Sequence, residues 1–222
     1  METIAVDREG KTAALYSPSQ KTLQLLKGLP DRPEVFLSTV LSDAAATVTA
    51  LALLPLESGA LIAAGGPLQG GVFRLNSDGA LVLVAETGLV RSLAVLGPDA
   101  FVYADAARNE LVQVRGAGAG AERRVLAGAS DQVNDPRGVC VLDGGGLILA
   151  NGAGKLLLTF DSDGRPTGSL AVEFTPGRCD AMGRGALLQL NDAGRGPLYL
   201  LDYSESLRTM FVPASPSPEV RQ

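Results

Sequence analysis

Seven polar residues have the types and the spacing to act together: Arg91, Arg137, Arg178, Asp105, Asp180, Asn151 and Asn191. Guanidinium groups and side-chain amides gathered at one place suit recognition of a small anionic or polyhydroxylated ligand, or of a peptide, through charge-assisted hydrogen bonds. Carboxylate and amide oxygens can instead hold a hard divalent cation such as Ca²⁺. A third arrangement is purely structural. Asp and Asn at strand ends accept hydrogen bonds from the following turn, while Arg pairs with Asp across neighbouring units.

Composition removes much other chemistry. The 222 residues include no histidine and no tryptophan, which excludes Ser-His-Asp and Cys-His catalysis and every zinc site built on His ligands. Two cysteines, Cys140 and Cys179, are too few and too far apart for a disulfide scaffold or a metal cluster, and they read as small core thiols. Nineteen Lys and Arg against 24 Asp and Glu leave a net charge of -5, which argues against a sequence-independent grip on nucleic acid. No apolar run reaches the roughly 20 residues that span a bilayer. The opening METIAVDREG has neither a basic segment nor a long apolar one, so neither membrane insertion nor an export signal is expected from it.

Something must bring residues 91 to 191 together, and the chain repeats itself in a way that could. TIAVDREGKTAALYS from Thr3, ALALLPLESGALIAAG from Ala50, SLAVLGPDAFVYAD from Ser92, GVCVLDGGGLILAN from Gly138 and RCDAMGRGALLQLN from Arg178 each read as strand, turn, strand. A small residue in the first strand recurs at Ala5, Ala52, Ala94 and Cys140, with Asp180 as the fifth, at separations of 47, 42, 46 and 40. Two further strand candidates follow each pair. In the second and fourth units they are joined by Asn76-Ser77-Asp78-Gly79 and Asp161-Ser162-Asp163-Gly164, which supply the positive-φ residue of a tight hairpin. A period of about 40 to 50 residues with four strands per period is the signature of propeller blades. The expected fold is therefore an all-β, five-bladed β-propeller with four-stranded antiparallel blades. It spans residues 1–214, with blades near 2–40, 47–88, 90–130, 136–175 and 177–214. Alanine-rich DAAATVTA, the nearest approach to a helix, leads straight into a strand.

Such a chain folds because one four-stranded sheet cannot cover both of its apolar faces, and radial stacking supplies the missing cover. Small residues belong where the innermost strands crowd together. Closure is open in the sequence: the first and last units each hold all four strands, so side-chain packing between the end blades, or flanking sequence, would have to join them. The Pro/Ser-rich tail at 215–222, with Pro213, Pro216 and Pro218 around its start, is expected to be an extended linker. It fits one domain of a larger secreted, periplasmic or cell-surface protein.

The repeat resembles the NHL family of β-propellers. The letters that carry this are Pro136-Arg137-Gly138-Val139, Leu149-Ala150-Asn151 and Phe160-Asp161-Ser162-Asp163-Gly164, with Val102-Tyr103-Ala104-Asp105 matching the middle part. The other units match in strand rhythm alone. The resemblance implies a fold and not an activity, since such propellers include ligand-binding and protein-binding modules and enzymes.

In a propeller the start of each innermost strand and the end of the second strand lie on one face, around the channel mouth. Aligning the units puts Ser17, Gly65, Asp105, Asn151 and Asn191 at the second-strand ends. Glu2, Thr49, Arg91, Arg137 and the pair Gly177 and Arg178 fall at the first-strand starts, and Asp180 takes the innermost position. One rim would then collect all seven candidates. The reading adopted is a non-catalytic binding or protein-interaction module, needing no cofactor, whose partner is a protein or a small polar ligand held by that rim. The alternative resembles the lactonase type of propeller: a Ca²⁺-dependent hydrolase with Asp105, Asp180, Asn151 and Asn191 as oxygen ligands. Three arginines on the rim and the lack of an acidic residue in the first unit count against it.

Weaker marks resolve to turns. Asp161-Ser162-Asp163-Gly164 lacks the later ligands of an EF-hand, and the glycine-rich GAGAGAERR precedes no helix. Cys140 and Cys179 lie one step out of register, so they should face different sides of their strands, which argues against a bridge.

Overall fold

A computed structural model of the chain describes residues 3–211 except 8, 42–46, 56–58, 66–69, 117, 119, 183–186, 193–197 and 203–208. The tail at 215–222, Glu2 and most of the alanine run at 43–46 lie outside the described residues. Twenty strands form five four-stranded antiparallel sheets, each wound in sequence order from inside to outside. Blade 1 holds β1 (Thr3–Val6), β2 (Thr12–Ser17), β3 (Thr22–Lys27) and β4 (Glu34–Val40). Blade 2 holds β5 (Val48–Leu53), β6 (Gly59–Gly65), β7 (Gly70–Asn76) and β8 (Leu81–Thr87). Blade 3 holds β9 (Val90–Gly97), β10 (Ala100–Asp105), β11 (Glu110–Arg115) and β12 (Glu122–Ala127). Blade 4 holds β13 (Pro136–Val141), β14 (Leu147–Asn151), β15 (Leu156–Phe160) and β16 (Pro166–Ala171). Blade 5 holds β17 (Pro176–Met182), β18 (Leu187–Asp192), β19 (Leu198–Asp202) and β20 (Thr209–Phe211).

Local chemistry sets the hairpins. Gly79 and Gly164 have φ of 85° and 79°, as the two Asp-Gly turns require. Asp161 closes its turn by accepting the N–H groups of Asp163 at 2.9 Å and Arg165 at 2.8 Å. Its carboxylate therefore serves the hairpin and not a calcium loop. GAGAGAERR likewise joins β11 to β12.

The pleat sends alternate residues to opposite blade faces, and each face packs on the neighbouring blade. Ala5, Ala14 and Tyr16 of blade 1 meet Leu51, Ala60 and Ile62 of blade 2. Leu61 and Ala63 meet Leu93, Phe101 and Tyr103 of blade 3. Val102 and Ala104 meet Val139, Leu147 and Leu149 of blade 4. Cys140, Ile148 and Ala150 meet Cys179 and Leu201 of blade 5. Among the described residues these are the four apolar interfaces of five blades.

The fifth junction, between blades 5 and 1, is different. Ile4 is 49% exposed, whereas the residues at the same register position in blades 2 to 5, Leu51, Leu93, Val139 and Cys179, are 6%, 8%, 2% and 2% exposed. Val6, on the same face of β1, is also exposed. A guanidinium bridges the junction: Arg178 Nη1 donates to the Ile4 carbonyl at 3.0 Å. Of the two means of closure left open by the sequence, packing between the end blades is therefore not what the described residues use. Among the described residues, the Arg178 side chain is what reaches across.

Inner strands approach closely enough to demand glycine at one point. A Cβ on Gly138 would lie 2.5 Å from the Gly177 carbonyl oxygen and 2.7 Å from the Cys179 nitrogen. The glycine of the Pro-x-Gly-Val stretch is thus required by the contact between β13 and β17, not by its own dihedral angles.

The two cysteines follow the register, and no disulfide joins them. Cys140 and Cys179 do face different sides of their own strands. Because the strands belong to adjacent blades, those sides face each other, and both thiols are free and buried in one cluster.

Candidate functional site

The starts of the inner strands share a feature invisible in the residue types. The pairing register slips between Val48 and Ala50, between Ala104 and Asp105 opposite Ser92 and Val90, between Pro136 and Gly138, and between Pro176 and Cys179. Thr49, Arg91, Arg137 and the pair Gly177 and Arg178 are the bulged residues. A bulge re-aims its side chain relative to the pleat, so in blades 2 to 5, though not in blade 1, the frame turns one position away from ordinary strand alternation. That end of the propeller is where sequence alignment placed the candidate rim.

Asp105 and Asn151, at the ends of β10 and β14, are fully buried. The Asp105 carboxylate accepts N–H bonds from Gly88 at 2.8 Å, Ala107 at 3.1 Å and Arg108 at 3.2 Å, with Arg108 Nε 3.9 Å away. It ties the chain arriving from blade 2 to the turn leaving β10. Asn151 does the same one blade later. Its Oδ1 accepts from Asn134 N at 2.6 Å and its Nδ2 donates to the Gln132 carbonyl at 2.9 Å. Asn191 occupies the matching place in β18, paired with Leu198, and its side chain lies outside the described residues.

Arg91 and Arg137 do meet, on a residue that sequence reasoning missed. Asp135 receives Arg137 Nε at 2.6 Å and Arg91 Nη2 at 3.6 Å. Its backbone has φ of 54°, uncommon for a non-glycine residue, and its N–H is held by Asn109 Oδ1 at 2.8 Å. Asp135 belongs to no strand and has no repeat counterpart, so a frame-based search passes over it. Proline at 136 gave no signal for it, since proline favours an extended preceding residue and not the positive φ found at Asp135.

Arg178 and Asp180 form a separate pair. The two side chains lie 3.2 Å apart, both half-exposed, and they stand on the wall of an axial cavity of about 610 Å³. The same wall carries the inner-strand residues Ala5, Ala52 and Ala94 and the polar hairpin residues Asp7, Glu9 and Lys11. Small residues leave this space because a larger one at each inner position would fill the axis. Asp7 opposes its own burial, which raises its pKa, with hydrogen bonds from the Thr12 hydroxyl and the Lys11 N–H; the balance holds the carboxyl below the ordinary aspartate value. Among the described residues, Arg178 Nε and Nη1 are engaged by Asp180 and Ile4, which leaves three of the five guanidinium donors for a ligand.

The seven candidates thus divide into buried ties (Asp105, Asn151), a two-arginine clasp on Asp135 (Arg91, Arg137), an axial pair (Arg178, Asp180) and Asn191. As a calcium donor set Asp105, Asp180, Asn151 and Asn191 fit poorly, because the Asp105 and Asn151 oxygens already accept backbone N–H bonds and Asp180 faces a guanidinium.

Five four-stranded antiparallel sheets wound in sequence order make the fold a β-propeller. The β-propeller domain of Swd1 from Myceliophteria thermophila superposes with a TM-score of 0.71 over 95% of this chain and 69% of that one, at 14% identity. A gluconolactonase of Xanthomonas campestris superposes with a TM-score of 0.68 over 95% of this chain and 71% of that one, at 18% identity. Virginiamycin B lyase from Staphylococcus aureus, in a catalytically inactive form with quinupristin, superposes with a TM-score of 0.67 over 94% and 68%, at 10% identity. The chain spans about seven-tenths of the length of each. No family model matches the sequence, and no curated protein matches it. At these identities the likeness is one of fold. No helix among the described residues is long and apolar enough to cross a membrane.

Proposed function

We propose that this propeller is a non-catalytic binding module, of the NHL kind in its repeat letters, that takes a small polar ligand bearing an anionic group in its axial cavity. The observation that carries the reading is the Arg178–Asp180 pair on the wall of a cavity of about 610 Å³, a size ordinary for small-molecule sites. The free guanidinium donors suit a carboxylate or phosphate oxygen, and Asp180 suits a hydroxyl or ammonium on the same molecule. Asp105, Asn151, Arg91 and Arg137 act in this reading as the scaffold that fixes the blades.

The test is a thermal-shift and calorimetric series with small carboxylates, phosphates and sugar acids, repeated with Ca²⁺, Mg²⁺ and chelator. A ligand that binds the folded state raises its Tm. The reading expects stabilisation by an anionic compound that is lost in Arg178→Ala and Asp180→Ala, with the unliganded Tm of Asp180→Ala little changed. Stabilisation by millimolar Ca²⁺ together with lactone hydrolysis would replace it with the hydrolase reading.

A further inference from the structure

The two cysteines sit where the fold could use a bond. Cys140 lies in β13 and Cys179 in β17, innermost strands of adjacent blades and the last two of the arc, 39 positions apart in the chain. Cys179 Sγ is 3.8 Å from the carbonyl oxygen of Ile148, and Ile148 is the residue paired directly with Cys140 across the sheet. Both thiols belong to one buried cluster, and the Cys140 thiol, as a hydrogen-bond neighbour, together with burial pushes the Cys179 thiol well above its ordinary pKa. Gly138, two residues before Cys140, brings β13 so near β17 that even a methyl group would strike the Cys179 nitrogen. Backbones this close are what a disulfide needs, since its Cα atoms sit about 4.4 to 6.8 Å apart.

The position matters as much as the proximity. Blade 5 has an apolar interface with blade 4 and, among the described residues, meets blade 1 through the Arg178 hydrogen bond. Cys179 lies between Arg178 and Asp180 in sequence, so a bond at Cys179 pins the one strand that both closes the arc and carries the axial pair.

We infer that Cys140 and Cys179 are an oxidation site: a buried dithiol that a small peroxide converts to an intramolecular disulfide stapling blade 5 to blade 4. One thiol, as its thiolate, attacks a peroxide oxygen and becomes a sulfenic acid while water (or an alcohol) leaves. The second sulfur then attacks the sulfenic sulfur, the S–S bond forms, and a second water leaves. Two thiols are oxidised and one peroxide is reduced, with both thiol protons carried away on the departing oxygens. Because both sulfurs are buried and the Cys179 thiol resists ionisation, the reaction is slow at neutral pH and proceeds through opening of the blade 5 interface.

The test uses the full chain, reduced, desalted and incubated with hydrogen peroxide, then denatured and treated with N-ethylmaleimide. The expected product is monomeric, about 2 Da lighter than the reduced chain, blocked to alkylation, and restored by a reductant. A non-reducing digest links the Cys140 and Cys179 peptides, and the Tm of the linked form exceeds that of the reduced form by about 5 to 10 °C. Cys140→Ser and Cys179→Ser each remove the link and the shift. Cysteines that stay alkylatable, oxidise separately to sulfinic acids, or join two chains would overturn the inference. The wild-type digest decides the matter even if a serine variant fails to fold. Because no ligand enters this experiment, its failure leaves the binding reading untouched.

Discussion

Replacing Asp105 by alanine separates a buried tie from a ligand-binding group. Its carboxylate satisfies three backbone N–H groups, those of Gly88, Ala107 and Arg108. The first of these is buried and the other two are partly buried. Truncation orphans all three. The Gly88 N–H, which water reaches least, costs about 2 kcal/mol when left unpaired, and the other two about 0.5 to 1 kcal/mol each where water partly replaces the carboxylate. The sum is about 3 to 4 kcal/mol, a large share of a typical domain stability of 5 to 15 kcal/mol. For a chain of this size it corresponds to a fall in Tm of about 6 to 9 °C. Asp105→Asn keeps one acceptor oxygen and the side-chain volume, and about half the loss is expected. Urea unfolding followed by circular dichroism, with calorimetric Tm, reads both variants. An Asp105→Ala protein within about 1 kcal/mol of wild type, having lost ligand or Ca²⁺ binding instead, would refute the assignment of this residue to the scaffold.

Three further outcomes test the frame. Leu93→Ala, at a buried blade interface, is expected to cost about 3 kcal/mol, whereas Ile4→Ala at the same register position costs about 1 kcal/mol or less; equal losses in urea midpoints would mean that the blade 5 to blade 1 junction is packed in solution. Gly138→Ala drives a methyl group into the Gly177 oxygen and Cys179 nitrogen, and a loss of at least about 2 kcal/mol is expected in the same assay. Asp7 has a folded pKa depressed below its unfolded value, so its contribution is present above the unfolded pKa and disappears as pH falls through the folded one. Asp7→Asn should accordingly flatten the stability profile below about pH 4 and leave its neutral-to-alkaline limb unchanged in shape.

The sequence by itself determined the number of blades, their order and nearly all of their strands. Period-two apolar alternation, glycine turns at fixed offsets and, in the first four blades, a small residue every 42 to 47 positions are local signals, and each blade writes its own. The same signals located Asp105 and Asn151 at strand ends, and the role of such residues in holding turns follows from their short polar side chains. What lies between blades was decided only in three dimensions. Asp135 became the partner of Arg91 and Arg137 because a loop outside the repeat crosses the end of blade 3, and no periodicity marks it. Cys140 and Cys179 face opposite ways along their strands yet meet, because facing opposite ways on adjacent stacked sheets brings two side chains together. Ile4 is exposed although its counterparts are buried, since exposure depends on whether another sheet stands opposite and not on the residue's own strand. Strand pattern is a property of each segment, whereas contact across a blade interface is a property of the ring.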